Sequence, residues 1–459
     1  MKYKTLSRKG ANLNLDELGN YLEKMASDHI LQNESSIYTY PIPKLRENFE
    51  FIFKVYNLLN EHIKIGIPIH PAGEWLLDNF YIIEETQKNI IKQLTLKKYK
   101  NFLAIANGEY KGFARIYVLC SEIVAYTDYR INAKTVINLI SSYQKKKNLS
   151  MEEIWNIGIF IQIALIQGIR DICEKIYLSQ IQKYKVENIV ERIVENKEDL
   201  KYKNLSEYKE KVKGYGEMKY PFIEYMSFTL KKYGKAGIAY INVLEEQVNK
   251  MGTTVDEVIK KEHFDIAVKR VSIANAITSI KEISRINFKE IFDKINGVED
   301  ILRKDPAKIY DNMDYRTKEY YRNTIKELAK KTKMSEIYIA NCVLQLCEKN
   351  SDLGHISEKE TSLIGKKGHV GYYLIDEGVN ELYKKIEYKP KIMFKCNSRV
   401  NLYIFGIWGL ASILDFIFTS LFYRQVTNIF AIIIFFILML FPSYEIVNKI
   451  TQYILRKSC

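Results

Sequence analysis

Four carboxylates gather in one short stretch of the chain, at Glu74, Asp78, Glu84 and Glu85. Two carboxyl groups facing each other across a cleft can process a glycosidic bond, one as acid and the other as base or nucleophile. On a helix, however, Glu84 and Glu85 point in different directions, and a solvated face accounts for the group more simply. His70 stands beside Pro71, and His369 is followed by Val370 and Gly371. Both read as loop residues whose rings bond to nearby backbone rather than as general bases. Trp75 and the pair Tyr372-Tyr373 offer flat faces for stacking on sugars, although aromatics of this size in helical proteins mostly fill cores. The dinucleotide GxGxxG, the phosphate loop GxxxxGK[ST], HExxH and GxSxG are absent. So are the aspartate set and the QxxRW sequence typical of processive membrane glycosyltransferases. No catalytic, cofactor-binding or metal-binding residue is assigned.

The elements that would position these residues read as helices almost throughout. Phe49, Ile52, Phe53, Tyr56, Leu59 and Ile63 recur near a 3.6 spacing across Leu45 to Ile65. Gly66-Ile67-Pro68 breaks that helix, and Pro71 opens the next, whose Trp75, Leu76, Phe80, Ile82 and Ile83 suit one buried face. A loop at Asn107-Gly108 and Lys111-Gly112 precedes a helix over Ile116 to Tyr126. Ser150 and Glu153 form a capping box, and the helix predicted to run from there through Trp155, Ile159, Ile163 and Ile166 is apolar enough to be central in its bundle. Glu187 to Lys213 reads as a charged break ending at Lys213-Gly214-Tyr215-Gly216, the best subdomain boundary. Amphipathic helices follow over Val255 to Ile286 and Thr317 to Ala329, and Ser335 caps another. No alternating run demands a sheet. The predicted fold class is all-α, a multi-helix cytoplasmic domain of two subdomains followed by a transmembrane helical hairpin. The segments are 1–40, 41–213, 214–395 and 400–459.

The hairpin is read from two apolar runs, one ending at Tyr423 and one over Ile429 to Phe441, joined by Arg424 to Asn428. A span needs roughly 20 mostly apolar residues, and only a helix or closed barrel satisfies its own backbone in lipid. Lys389, Lys391, Lys395 and Arg399 precede the first run, and Lys449, Arg456 and Lys457 follow the second. The positive-inside rule then places both termini in the cytoplasm, at a plasma membrane crossed twice. The N-terminus carries no signal-peptide pattern. Asp415 falls inside the first run, where a carboxylate is costly and commonly functional.

The chain of 459 residues carries 69 Lys and Arg against 55 Asp and Glu, a formal charge of +14. The basic residues are interleaved with glutamates, which argues against nucleic acid as partner and suits a membrane surface. Six cysteines, at 120, 173, 342, 347, 396 and 459, show no paired metal spacing, and a cytoplasmic location disfavours disulfides.

Several blocks together carry a more specific signal. They are His70-Pro71-Ala72-Gly73-Glu74-Trp75-Leu76-Leu77-Asp78-Asn79-Phe80; Arg115-Ile116-Tyr117 with Glu122 to Asp128; Glu153-Ile154-Trp155; Ser272 to Ser279; Asp305-Pro306-Ala307 with Tyr310, Met313-Asp314, Thr317 and Tyr321-Arg322; and His369-Val370-Gly371-Tyr372-Tyr373-Leu374-Ile375-Asp376. In order and content this set resembles the N-terminal region of bacterial cyclic β-1,2-glucan synthases, with Tyr126 standing where that family usually has a histidine. The similarity covers about residues 65 to 390.

The resemblance implies a supporting role. In that family the matching region and first hairpin precede a family 84 glycosyltransferase domain that uses UDP-glucose, with transglycosylase and phosphorylase-like domains further on. It therefore implies that UDP-glucose and a divalent metal belong to a glycosyltransferase domain beyond this chain, with no cofactor in the chain itself. It also implies that the chain is a truncated N-terminal portion. The partners expected are the bilayer and glycosyltransferase and glycan-processing domains of the same or a companion chain. Candidate interdomain contacts are His70, Glu74, Trp75, Asp78, Arg115, Asp128, Asp305, Tyr310, Asp314, Arg322, His369, Tyr372 and Tyr373. The alternatives are a free-standing membrane scaffold or regulator of a separately encoded synthase, and a glycoside-processing enzyme using the Glu74/Glu84 region.

Overall fold

Most helices begin where the sequence supplies a cap for the free N–H groups of their first turn. In the computed structural model, which describes residues 13–195, 220–351, 367–389, 398–423 and 429–458, Asn14, Ser150 and Thr254 each form reciprocal capping boxes with a glutamate three residues on. His70, Thr95, Asn132, Asn287, Asn296 and Asp314 cap with a side chain alone. Ser335 accepts from Tyr338 N at 3.1 Å, as the sequence predicts.

The helices are α1 (Leu15–Asp28), α2 (Ile42–Lys64), α3 (Pro71–Gln93), α4 (Leu96–Lys100), α5 (Arg115–Tyr126), α6 (Ala133–Gln144), α7 (Met151–Trp155), α8 (Ile157–Glu195), α9 (Tyr220–Lys231), α10 (Lys235–Lys250), α11 (Val255–Arg285), α12 (Phe288–Ile295), α13 (Gly297–Leu302), α14 (Tyr315–Thr332), α15 (Glu336–Ser351), α16 (Val370–Ile375), α17 (Val379–Lys385), α18 (Ser398–Tyr423) and α19 (Ile429–Ser458). The only strands among the described residues are two residues long: β1 (Leu31–Gln32) pairs antiparallel with β2 (Ala104–Ile105). The fold is all-helical, as expected.

The chain divides into a first unit, Met1–Asp376, and a second, Glu377–Cys459. In the first unit α8 is central. It packs on α2, α3, α5, α9 and α11, and its Phe160, Ile161, Leu165, Ile166, Ile169 and Ile176 are fully buried. The close approach of α2 and α3 has a local cause, because a Cβ on Gly73 would lie 2.8 Å from Leu59 Cδ1. A subsidiary core joins Val186 and Val190 to Phe222, Met226, Leu244 and Val258. The predicted boundary at 213–216 lies outside the described residues.

Two sequence expectations shift. The capping box at Ser150 opens a helix of only five residues, because the chain turns at Asn156 before α8 begins. Trp155 is consequently not in the central helix; it is partly exposed and stacks on Phe292 at 4.6 Å. The charged stretch from Glu187 does not break α8, which continues to Glu195 because Val186, Ile189 and Val190 keep an apolar stripe on the subsidiary core.

In the second unit α18 and α19 pack against each other through Ile407, Ala411 and Val447, with Leu414 and Tyr444 alongside. Among the described residues no helix is long and apolar enough to cross a membrane.

Candidate functional site

Many of the site residues predicted from sequence fall into three polar junctions inside the first unit. The first junction forms where α5 meets the turn before α7. Arg115 is held at the start of α5 and is buried. Its Nε and Nη2 each donate to the Glu153 carboxylate at 2.7 Å, and Nη2 also donates to Asn148 O at 2.8 Å. Burial opposes the guanidinium charge, but Glu153 outweighs it and raises the Arg115 pKa. A bidentate pair of this kind specifies geometry. Nearby, Met151 N donates to Glu336 at 2.7 Å, and burial raises the Glu336 carboxyl to about 7.

The second junction fixes the turn after α5. Asp128 and Tyr129 have φ of 47° and 61°, in the left-handed region that Asp tolerates better than most residues. Ser272 Oγ donates to Asp128 Oδ1 at 2.7 Å, and Asn275 Nδ2 donates to Asp128 O at 3.1 Å. Ser279 Oγ donates to Tyr129 O at 2.7 Å and accepts from Ile131 N at 2.8 Å. Two blocks that the resemblance singled out separately thus lock onto each other across α11.

The third junction collects the Asp305 and His369 blocks. Asp305 is buried. Its Oδ2 accepts from Ile309 N and Tyr310 N at 3.2 Å each and lies 2.7 Å from His369 Nδ1, while Oδ1 accepts from Val370 N at 3.1 Å. Burial alone would raise this carboxyl, but the bonds from His369, Val370 and Tyr310 prevail and hold it below its usual value. His369 Nε2 lies 3.2 Å from Tyr321 OH. Nδ1 thus faces the carboxylate and Nε2 the tyrosine hydroxyl. Alongside, Glu299 receives Tyr310 OH at 2.9 Å and Arg322 Nη1 at 3.1 Å. The Arg322 guanidinium also faces the rings of Phe292 and Tyr315. Gly371 is obligatory, because a Cβ there would stand 2.1 Å from Tyr321 OH.

An Asp–His–Tyr chain can hold and move a proton. Here the chain also fastens the start of α16 to the turn after α13, through His369 and Val370 N on the one Asp305 carboxylate. Among the described residues, no group of three or more His, Cys, Asp or Glu could hold a metal ion. Cys120, Cys173, Cys342 and Cys347 are buried free thiols.

His70 is fully buried. Its Nδ1 caps α3 by accepting from Ala72 N at 3.1 Å, while Nε2 has no partner. Burial, then Lys269 and Lys183, lower its pKa to about 3. Glu74 and Asp78 are on the outer side of α3, and Trp75 is half-buried; Glu84 pairs with Lys88 at 2.8 Å. Asp314 caps α14 through Arg316 N and Thr317 N. Tyr372 and Tyr373 are buried, and Tyr373 OH donates to Leu346 O at 3.3 Å. Buried members of the set are therefore turned inward, leaving Glu74, Asp78 and Asp314 toward the surface.

In the second unit Asp415 is buried against the helical pair, its two oxygens without hydrogen-bond partners, as are Thr419 Oγ1 and Ser443 Oγ. Sequence reading missed Glu299 and Glu336, and named Tyr321 only as part of a matched block. Glu153 was visible as a capping residue and within a matched block, but not as the partner of Arg115, which is 38 positions away.

No protein-family profile matches the chain. Over 348 residues, 76% of its length, it is 22% identical to the cyclic β-(1,2)-glucan synthase NdvB of Rhizobium meliloti (strain 1021). The chain is thus related to that synthase, of which the match covers 12%.

Proposed function

We propose that the chain is the N-terminal helical and membrane-anchoring part of a cyclic β-1,2-glucan synthase apparatus. It supports assembly of the machinery, and glucosyl transfer from UDP-glucose, with its divalent metal, is carried out by segments outside the matched region. The observation that carries this reading is the long collinear relation to the NdvB synthase, joined to the inward engagement of the matched polar residues. Arg115, Asp128, Asp305 and His369 all serve to hold helices together. Residues with such work shape a rigid module rather than turn over a substrate.

The anchoring part of the reading rests on α18 and α19. Phe405, Leu410, Ile413, Phe416, Ile417 and Leu421 on one helix, and Phe430, Ile433, Ile437, Leu438 and Phe441 on the other, are exposed. So many large apolar side chains facing outward suit lipid rather than water. Lys389 before the pair, Arg399 in its first turn, and Lys449, Arg456 and Lys457 near its end suit two spans with both flanks cytoplasmic. Glu74, Asp78 and Asp314 are left as contacts for the catalytic domains.

The test is to tag the chromosomal gene, wash membranes with carbonate and purify the tagged product without dissociating its partners. The expected result is retention in the membrane, with incorporation of glucose from UDP-glucose into β-1,2-glucan by the purified material. A product that washes off, or one purified from a strain whose glucan synthesis survives its deletion, overturns the proposal. The band size, against 53.9 kDa for this chain, shows whether the catalytic domains are on the same polypeptide.

A further inference from the structure

One surface of the first unit carries an arrangement of rings that the core does not require. Phe53 and Tyr56, one turn apart on α2, are nearly parallel, their planes 13° apart and their centroids 6.4 Å apart. Phe80 of α3 backs both of them, at 5.8 Å from Phe53 and 4.3 Å from Tyr56. Phe49 backs Phe80 in turn, at 5.7 Å. The cluster is not buried: Phe53 is 47% exposed, and the other three are partly exposed. Helical spacing puts polar groups around it, with Glu50 and Asn57 one turn either side of Phe53, Asn60 one turn beyond Tyr56, and Glu84 one turn beyond Phe80.

We infer that Phe53 and Tyr56 form a stacking platform for two consecutive pyranose rings of a β-linked glucan chain, with Glu50, Asn57 and Glu84 bonding its hydroxyls. The inference rests on the glucan-synthase reading above and gives the helical module a ligand. A glucopyranose in its β-linked chair presents a face of axial C–H bonds, which packs on the electron-rich face of an aromatic ring. It also presents a perimeter of hydroxyls, which need carboxylate and amide partners. Two near-parallel rings rimmed by Glu and Asn match both demands. An anionic membrane surface would want a net excess of lysine and arginine on the rim, whereas here Glu84 balances Lys88 and Glu50 adds a further negative charge. A protein partner of standard size would need an apolar patch several times larger than four rings. The rings lie on the α2–α3 pair whose approach Gly73 sets, so the platform is rigid and pre-organised for its ligand.

The experiment titrates the full chain, in lipid nanodiscs free of glycosidic detergent, with linear β-1,2-linked glucose oligomers of five to seven units. Binding is read by tyrosine fluorescence and by saturation-transfer NMR on the sugar. We expect saturable binding that Phe53→Ala weakens at least tenfold, that Phe53→Trp preserves, and that Tyr81→Ala leaves unchanged, since Tyr81 is exposed on α3 outside the ring cluster. The half-exposed position of Phe53 makes all these variants compatible with folding. Absence of binding by the wild type, or equal binding by Phe53→Ala, overturns the inference. The two proposals fail separately: glucan synthesis that co-purifies with a chain blind to the oligomers removes the platform alone. Binding by a chain that has no part in glucan synthesis removes the synthase reading alone.

Discussion

Asp305 Oδ2 and His369 Nδ1 lie 2.7 Å apart although 64 positions separate them in the chain, and the same carboxylate also takes the backbone N–H groups of Ile309, Tyr310 and Val370. One side chain therefore orders the turn after α13 and fastens the start of α16 to it. Removing it leaves two or more buried donors without acceptors, at about 1–3 kcal/mol each.

Asp305→Ala should thus lower stability by about 3 kcal/mol or more and loosen 369–375 first, seen as faster amide exchange at Val370 than at core positions of α8. The pH dependence has a definite sign. The folded pKa is depressed, so the carboxylate contributes its full stabilisation above the ordinary value of 3.8, and that contribution is lost as pH falls through the folded pKa. Asp305→Asn should flatten the acid limb of a stability–pH curve measured by urea denaturation. An unchanged limb would assign the acid sensitivity to other carboxylates.

The Arg115–Glu153 pair makes a different prediction, because both partners are almost wholly buried. Leaving either charge alone inside the protein costs about 3–5 kcal/mol, whereas replacing both by apolar groups of similar volume is far milder. Arg115→Met and Glu153→Leu should each be severely destabilising, and the double variant should be more stable than either single one. Denaturation midpoints of the four proteins give the coupling directly. Simple additivity would mean that the two charges do not depend on each other.

This contrast shows what the sequence could reveal. The helical class, the starts at Pro71, Ser150 and Ser335, and the central apolar helix were legible because spacing and caps are local signals. Asp128 with Ser272, Asp305 with His369 and Arg115 with Glu153 are pairings at long separation, and nothing in either partner's neighbourhood announces the other. Their blocks could be recognised only as a resemblance, and their inward direction came from the fold. The turn at Asn156 escaped for the opposite reason: apolar residues continue on both sides of it, so periodicity runs straight through the break.

His70 gives a prediction in pH. Burial, reinforced by Lys269 and Lys183, lowers its pKa from 6.5 to about 3. The unfolded chain therefore takes up a proton first as pH falls. Stability is complete above pH 6.5 and declines toward pH 3, by at most about 1.4 kcal/mol per pH unit. Asparagine is a good helix cap and has no such titration. His70→Asn should keep α3 capped at pH 7.5 and reduce the loss of stability between pH 6 and pH 4. An identical slope in the two proteins would show that His70 is not the titrating group.

Gly168 tests the junction at Asp128. A Cβ at this position of α8 would lie 2.1 Å from Tyr129 Cε1 and 2.7 Å from Cδ1. Tyr129 cannot easily retreat, since its carbonyl is held by Ser279 Oγ at 2.7 Å and its backbone is fixed at a φ of 61°. Alanine is the better helix former by about 1 kcal/mol, so propensity alone predicts that Gly168→Ala stabilises. The clash predicts the reverse, with overpacking of about 1–3 kcal/mol, and the distances decide for the clash. Gly168→Ala should be destabilising in a wild-type background and become neutral or stabilising beside Tyr129→Ala, where the ring is gone. A double-mutant cycle on thermal midpoints measures the difference. A stabilising effect of Gly168→Ala alone would show that the turn carrying Asp128 and Tyr129 yields at little cost, and that the contacts from Ser272, Asn275 and Ser279 do not hold it rigidly.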